Sequence, residues 1–155
     1  MMQHSAPCKP VRQRGVAATE FAIALPLLLL LMLATADIGR LLSQYDALTK
    51  AVRDGTRYLA SNALAGSTST VNITAQLQTQ TQNLVVTGNI NGSGSALLPG
   101  LVAGNVTVAN AGNNYVSVSA VYTYQPMIAT LPTFGFSPPI SLAIPLRAGA
   151  VMKAL

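Results

Sequence analysis

Residues 15–36 read GVAATEFAIALPLLLLLMLATA, and this stretch decides the fold of the chain. After Glu20 it contains seven leucines and no charged residue. A helix needs about 20 residues to span a bilayer, so the predicted span begins at Val16 and includes Glu20. Seven leucines favour insertion by roughly −3.5 kcal/mol, at about −0.5 kcal/mol each. This offsets the cost of one acid, about +2.5 to +3.5 kcal/mol near the bilayer centre. We predict a transmembrane helix over residues 16–36.

The residues around this helix predict its orientation and its shape. Three cations precede it, at Lys9, Arg12 and Arg14. The positive-inside rule places that end in the cytoplasm, so the rest of the chain is expected outside the inner membrane. Pro26 lacks the N–H that would bond the carbonyl of Ala22. A membrane kink or a locally melted turn is therefore expected near Pro26.

The residues around Gly15 resemble the cleavage site of type IV prepilins, where a prepilin peptidase cuts after the glycine. Glu20 is the fifth residue after Gly15, and Phe21 follows it. This Glu-Phe pair and the apolar run after it resemble TadE-like pseudopilins, minor pilins of the tight-adherence (Tad/Flp) type IV pilus system. The resemblance continues through residues 37–40 and 51–58. It is weaker near the end of the chain, where Pro145 interrupts a strand that is usually unbroken in such proteins.

The resemblance implies a pilin-like α+β fold, in which a long N-terminal helix packs on a small antiparallel β-sheet. It implies a leader over residues 1–15, a transmembrane helix over 16–36, a periplasmic stalk helix over 37–63 and a globular domain over 64–155. It also implies the partners: prepilin peptidase, the major pilin, other pseudopilins and an inner-membrane assembly platform. The expected role is assembly of the pilus, which supports surface adhesion and biofilm formation. The expected location is the inner membrane, in a single pass with a periplasmic domain, and later the pilus.

Cleavage after Gly15 would give Glu20 a physical role. Val16 would gain a free amine, and Val16 and Glu20 are i and i+4 on one helical face. The carboxylate could pair with the amine of its own or a neighbouring chain, which would relieve part of its burial cost and fix the assembly register. The alternative is an acid stabilised by the dipole at a helix N-terminus.

Two other interpretations of the same segment remain open. Residues 34–36, Ala-Thr-Ala, follow a basic region and an apolar region, as in a secretory signal peptide. Signal peptidase would then cut before Asp37 and release a soluble periplasmic binding module. The third interpretation is an uncut envelope protein with a single span. Glu20 and the helical pattern that continues past Asp37 are unusual for a signal peptide.

Composition argues against nucleic-acid binding and against catalysis. The net charge is +5, but three cations lie in the leader, and without them it is +2. After Arg57 the cations are Arg147 and Lys153, without a basic patch, so no nucleic-acid partner is expected. The only cysteine, Cys8, and the only histidine, His4, also lie in the leader. Beyond residue 57 there is no Asp, Glu, His or Cys for acid–base catalysis or metal binding. We expect no enzyme activity, no metal and no cofactor.

Beyond the membrane the periodicity predicts a stalk helix and then a domain with one hairpin. A 3-4 apolar stripe runs through Ile38, Leu41, Tyr45, Leu48, Val52, Gly55 and Leu59. The charged residues, Asp37 among them, are expected on the other faces. The predicted elements are a short helix 74–83, a strand 84–87 that ends at Gly88, and a hairpin of strands 106–109 and 115–124. In the second hairpin strand every second residue belongs to one face, which predicts one buried and one solvent-facing side; the first set is Val116, Val118, Ala120, Tyr122 and Tyr124. A Pro-rich loop 125–139 with Phe134 and Phe136 follows, and then a last strand 140–151 interrupted by Pro145. That proline is expected at a sheet edge or a bulge.

Overall fold

The computed structural model describes residues 14–64, 70–127, 130–131, 138 and 140–155. The chain divides into two compact units, Met1–Ala36 and Asp37–Leu155. The structure has an N-terminal helix, a second helix and a small antiparallel sheet. This confirms the predicted α+β fold with a long apolar N-terminal helix. Most of the leader, including Cys8 and His4, lies outside the described residues.

Helix α1 spans Arg14–Asn62, 49 residues, close to the predicted extent of the membrane and stalk helices together. It continues through Pro26 as α-helix, and the kink there stays a prediction. Of the stripe on its second half, Leu48, Val52 and Leu59 are fully buried. At the lower end of the stripe, Ile38 and Tyr45 are exposed in the isolated chain.

Helix α2 spans Ala75–Thr87, so the prediction of a strand over residues 84–87 was wrong. The Thr74 side chain caps its N-terminus by accepting a hydrogen bond from the backbone N–H of Leu77. Gly88 ends the helix in the left-handed conformation, with its N–H bonded to the carbonyl of Leu84. Val85 and the residue after it are buried in the core, so packing outweighs the preference of valine for strands.

The main sheet has three antiparallel strands in the order β1-β2-β5, namely β1 Val106–Gly112, β2 Tyr115–Thr123 and β5 Pro145–Lys153. A two-residue turn at Asn113 and Asn114, both with positive φ, joins β1 to β2 and confirms the predicted hairpin. The predicted alternation is also confirmed, since every second side chain of β2 from Val116 onward is buried. These side chains form the core together with the buried faces of α1 and α2.

The last strand differs from its prediction. Residues 140–144 do not belong to it: β4, Ile140–Ser141, pairs instead with β3, Thr130–Leu131, in a separate two-stranded sheet. Strand β5 begins at Pro145, opposite Thr123, and forms one edge of the main sheet, as expected for proline. Phe134 and Phe136 of the predicted Pro-rich loop lie outside the described residues.

Candidate functional site

The predicted cleavage and assembly residues lie at the start of α1. Gly15, Val16, Glu20 and Phe21 fall in its first turns, and their side chains are exposed in the isolated chain. The Thr19 hydroxyl donates to the Val16 carbonyl at 2.7 Å, a bond within the helix. Because Val16 and Glu20 are four residues apart in this helix, they lie about one turn apart, as the proposed pairing requires. Cleavage after Gly15 and the role of Glu20 as an assembly charge remain predictions.

The apolar segment that follows is almost entirely uncovered in the isolated chain. Among the described residues, α1 is the one helix long and apolar enough to cross a membrane. Only 6% of its most apolar window is buried, whereas the core helix of a soluble protein is mostly buried. The exposed side chains include most of the leucines between residues 25 and 33. Their exposure fits a single-pass membrane segment, because large apolar patches need an apolar surrounding.

In the second unit, Asp37 is the first charged residue after this segment, and it is buried. Its side chain is only 5% exposed, so the prediction that it lies on a solvent-exposed face of the helix was wrong. The Tyr124 hydroxyl donates to the Asp37 carboxylate at 2.7 Å and lies 3.1 Å from the Asp37 carbonyl oxygen. The backbone N–H of Met127 donates to the same carboxylate oxygen at 3.1 Å. These hydrogen bonds explain how a carboxylate is tolerated in a buried position.

A second buried tyrosine, Tyr122, forms a hydrogen bond with α1 about two turns after Asp37. The Tyr122 hydroxyl donates to the Gln44 side-chain oxygen at 3.1 Å. Gln44 and Asp37 are seven residues apart on one face of α1. Tyr122 lies on β2, and Tyr124 directly follows the last residue of this strand. The two hydrogen bonds together fix the register of α1 along the sheet. We call these four residues the helix–sheet clasp.

Burial sets the acid–base behaviour of the clasp. Burial, together with the hydrogen bond to Asp37, raises the pKa of Tyr124 to about 12. Burial also raises the pKa of Tyr122, while the charge of Arg40 acts in the opposite direction. Both hydroxyls therefore stay protonated at neutral pH and act as donors.

Among the described residues, no three His, Cys, Asp or Glu side chains lie close enough together to hold a metal ion. Every buried side-chain nitrogen and oxygen atom of these residues has a hydrogen-bond partner. The features that remain are an apolar helix with an acid near its start and a domain tied to that helix by the clasp.

These features fit a class of protein, the single-pass membrane proteins with an N-terminal apolar helix, here followed by a small α+β domain. A family model described as TadE-like protein matches residues 15–57, all of them within α1. The match confirms the resemblance predicted from the sequence and is consistent with a TadE-like protein of the Tad pilus system. No curated protein and no solved structure matches the chain significantly. The description of the residues after 57 therefore depends on the structure of this chain alone.

The sequence alone did not reveal the clasp. Asp37 and Tyr124 are 87 residues apart, and no local pattern links them. One signal was available: Asp37 is the first charge after the apolar run, at a position where a free carboxylate would face the membrane surface. The pattern on β2 correctly predicted that Tyr122 and Tyr124 are buried, but it did not predict their partners.

Proposed function

We propose that this chain is a TadE-like pseudopilin, a minor pilin that is cut after Gly15 by a prepilin peptidase and helps to assemble a tight-adherence pilus. The observation that supports this most strongly is the family match, which begins at Gly15 itself. Its partners would be the major pilin, other pseudopilins and the inner-membrane assembly platform. Surface adhesion and biofilm formation would follow from the pilus.

The mechanism is packing of helices. Before assembly, the apolar segment of α1 lies in the inner membrane with the domain in the periplasm. Cleavage removes three cations, Lys9, Arg12 and Arg14, which hold the segment at the cytoplasmic side. The new amine of Val16 then neutralises Glu20 on the same or a neighbouring helix. The exposed leucines form the contact between subunits, so the acid sets the register and the apolar surface supplies the contact area.

Glu20→Ala tests the role of the acid. This variant should reach the membrane in normal amounts, because removing an acid lowers the cost of insertion. It should be cut normally and incorporated poorly, so fewer pili should be counted by electron microscopy. Glu20→Gln serves as the matched control, since it keeps the size of the side chain and removes only the charge. A normal number of pili in both variants would refute the register role.

Mass spectrometry of the N-terminus of the native protein tests the processing. The proposal predicts a chain that begins at Val16 in normal cells. In cells without the peptidase, it predicts a chain that keeps its leader. A chain that begins at Asp37 would establish a secreted module, and an intact leader would establish an uncut anchor. Two observations weigh against a start at Asp37: α1 continues through Ala36 and Asp37 without a break, and Asp37 is buried.

A further inference from the structure

The end of the second unit that includes Asp37 exposes three apolar side chains and one cation. Met127 is 71% exposed, although its backbone is held to the Asp37 carboxylate. Ile144 is 46% exposed, and its carbonyl accepts from the backbone N–H of Tyr124 at 2.9 Å. On α1, Ile38 is 59% exposed and Arg40 is exposed as well. We call Ile38, Arg40, Met127 and Ile144 the basal surface; all four belong to the unit 37–155.

We propose that the basal surface contacts the outer leaflet of the membrane that holds α1, with Arg40 binding the phosphate of an anionic phospholipid. This proposal requires membrane anchoring by α1 and does not depend on pilus assembly. It adds a lipid contact of the domain to the contact made by the spanning helix.

The distance along α1 places Arg40 close to the end of the predicted span. Arg40 follows Ala36, the last residue of the predicted span, by four residues, or about 6 Å of helix at 1.5 Å per residue. The headgroup region beyond each side of the hydrocarbon core is roughly 5 to 7 Å thick. Arg40 thus falls at the level of the lipid phosphates. Met127 is bonded to Asp37, the residue directly after the span, so its backbone is held at the same boundary.

The chemistry of these residues suits lipid better than water. Methionine and isoleucine gain from leaving water, and an arginine at this depth can bury its stem while its guanidinium meets phosphate. The surrounding sequence imposes no opposing cost, since residues 125–146 contain no charged side chain. The one acid at this boundary, Asp37, is turned inward onto Tyr124 and Met127 and is buried. The surface is therefore apolar with a cationic member, as an anionic bilayer interface requires.

A depth measurement on the full chain tests the proposal. In a Cys8→Ser background, Met127→Cys or Ile144→Cys is labelled with an environment-sensitive fluorophore. The protein is reconstituted in vesicles of phosphatidylethanolamine and phosphatidylglycerol, with and without a lipid that carries a nitroxide near its headgroup. Val151→Cys is the matched control: it is 61% exposed and lies six residues along β5 from Pro145, about 20 Å away.

We expect blue-shifted emission and several-fold quenching by the nitroxide lipid at positions 127 and 144, and neither effect at position 151. Equal, water-like emission at all three positions would overturn the proposal. A blue shift that grows with protein density and resists the nitroxide lipid would also overturn it, because a second copy would then cover the surface. Arg40→Gln should lower quenching at position 127 in phosphatidylglycerol vesicles toward its value in phosphatidylcholine. Unchanged quenching would overturn the assignment of Arg40 to phosphate.

Discussion

Gly55 of α1 lies against Val85 and Thr81 of α2, and Gly55→Ala should destabilise the second unit. A Cβ atom at this position would lie 2.5 Å from Cγ2 of Val85, a side chain that is fully buried. An ordinary contact begins near 3.4 Å, so the helices would have to separate by about 0.9 Å, or Val85 would have to leave its preferred rotamer. Overpacking of this kind costs about 1 to 3 kcal/mol.

Helix propensity acts in the opposite direction, and a second glycine of α1 measures it. Alanine is favoured over glycine by roughly 1 kcal/mol inside a helix. A Cβ atom at Gly39 would meet nothing within 4 Å, and Gly39 is exposed. Gly39→Ala should therefore stabilise the unit slightly. The difference between the two variants removes the propensity effect and leaves the packing cost, about 1 to 3 kcal/mol.

Tyrosine fluorescence during urea unfolding of the full chain in detergent micelles gives these free energies. The chain has five tyrosines and no tryptophan, and all five tyrosines lie beyond residue 36, so the signal reports the second unit alone. Val85→Ala added to Gly55→Ala should restore part of the loss, with a coupling energy of about 0.5 to 3 kcal/mol. Equal free energies for Gly55→Ala and Gly39→Ala, or strict additivity with Val85→Ala, would refute the close approach of the helices.

Two further predictions concern the clasp and the second helix. Tyr124→Phe leaves the buried carboxylate of Asp37 without its hydroxyl donor and should cost about 1 to 3 kcal/mol. Between pH 10 and 12 the native wild type keeps the Tyr124 proton that the unfolded chain loses, so its stability falls as the pH rises through this window. That fall should be shallower in Tyr124→Phe, and an unchanged pH profile would contradict the raised pKa. Thr74→Ala removes the N-cap of α2 and should cost about 0.5 to 2 kcal/mol, whereas Thr74→Ser should restore most of the loss. Urea titration of both variants checks this, and equal midpoints for alanine and serine would exclude a capping role.

Local patterns in the sequence predicted the elements whose neighbours are close in the chain. The length of α1 followed from an apolar run and a 3-4 stripe without a helix-breaking residue before Asn62, apart from Pro26. The β2 strand followed from the strict alternation that begins at Val116, although the strand ends at Thr123, one residue before Tyr124. For α2, the informative residue in the sequence is Gly88. A glycine after an apolar segment can end a strand, as predicted here, but it is also a common helix C-cap, and Gly88 has that role.

The elements that were predicted wrongly depend on partners far away in the chain. Residues 140–141 pair with residues 130–131, so the segment before Pro145 belongs to a different sheet from β5. Asp37 was placed on a wet face because an isolated helix exposes its charges. Its burial depends on Tyr124, which only the folded sheet brings to α1. No periodicity within α1 contains that information.

The position of Asp37 connects the stability of the domain with the proposed function. Under the proposed function the subunit passes from the membrane into a filament, so a force on α1 would have to reach the domain. The clasp would transmit that force, because Asp37 is the first residue of the second unit and is bonded to Met127 and to Tyr124, the residue directly after β2. Further along, Leu48, Val52 and Leu59 hold α1 by apolar contacts, which resist separation but have no preferred register. The directional hydrogen bonds at Asp37 and Gln44 supply that register. They begin at the first residue of the domain, where the proposed force would act.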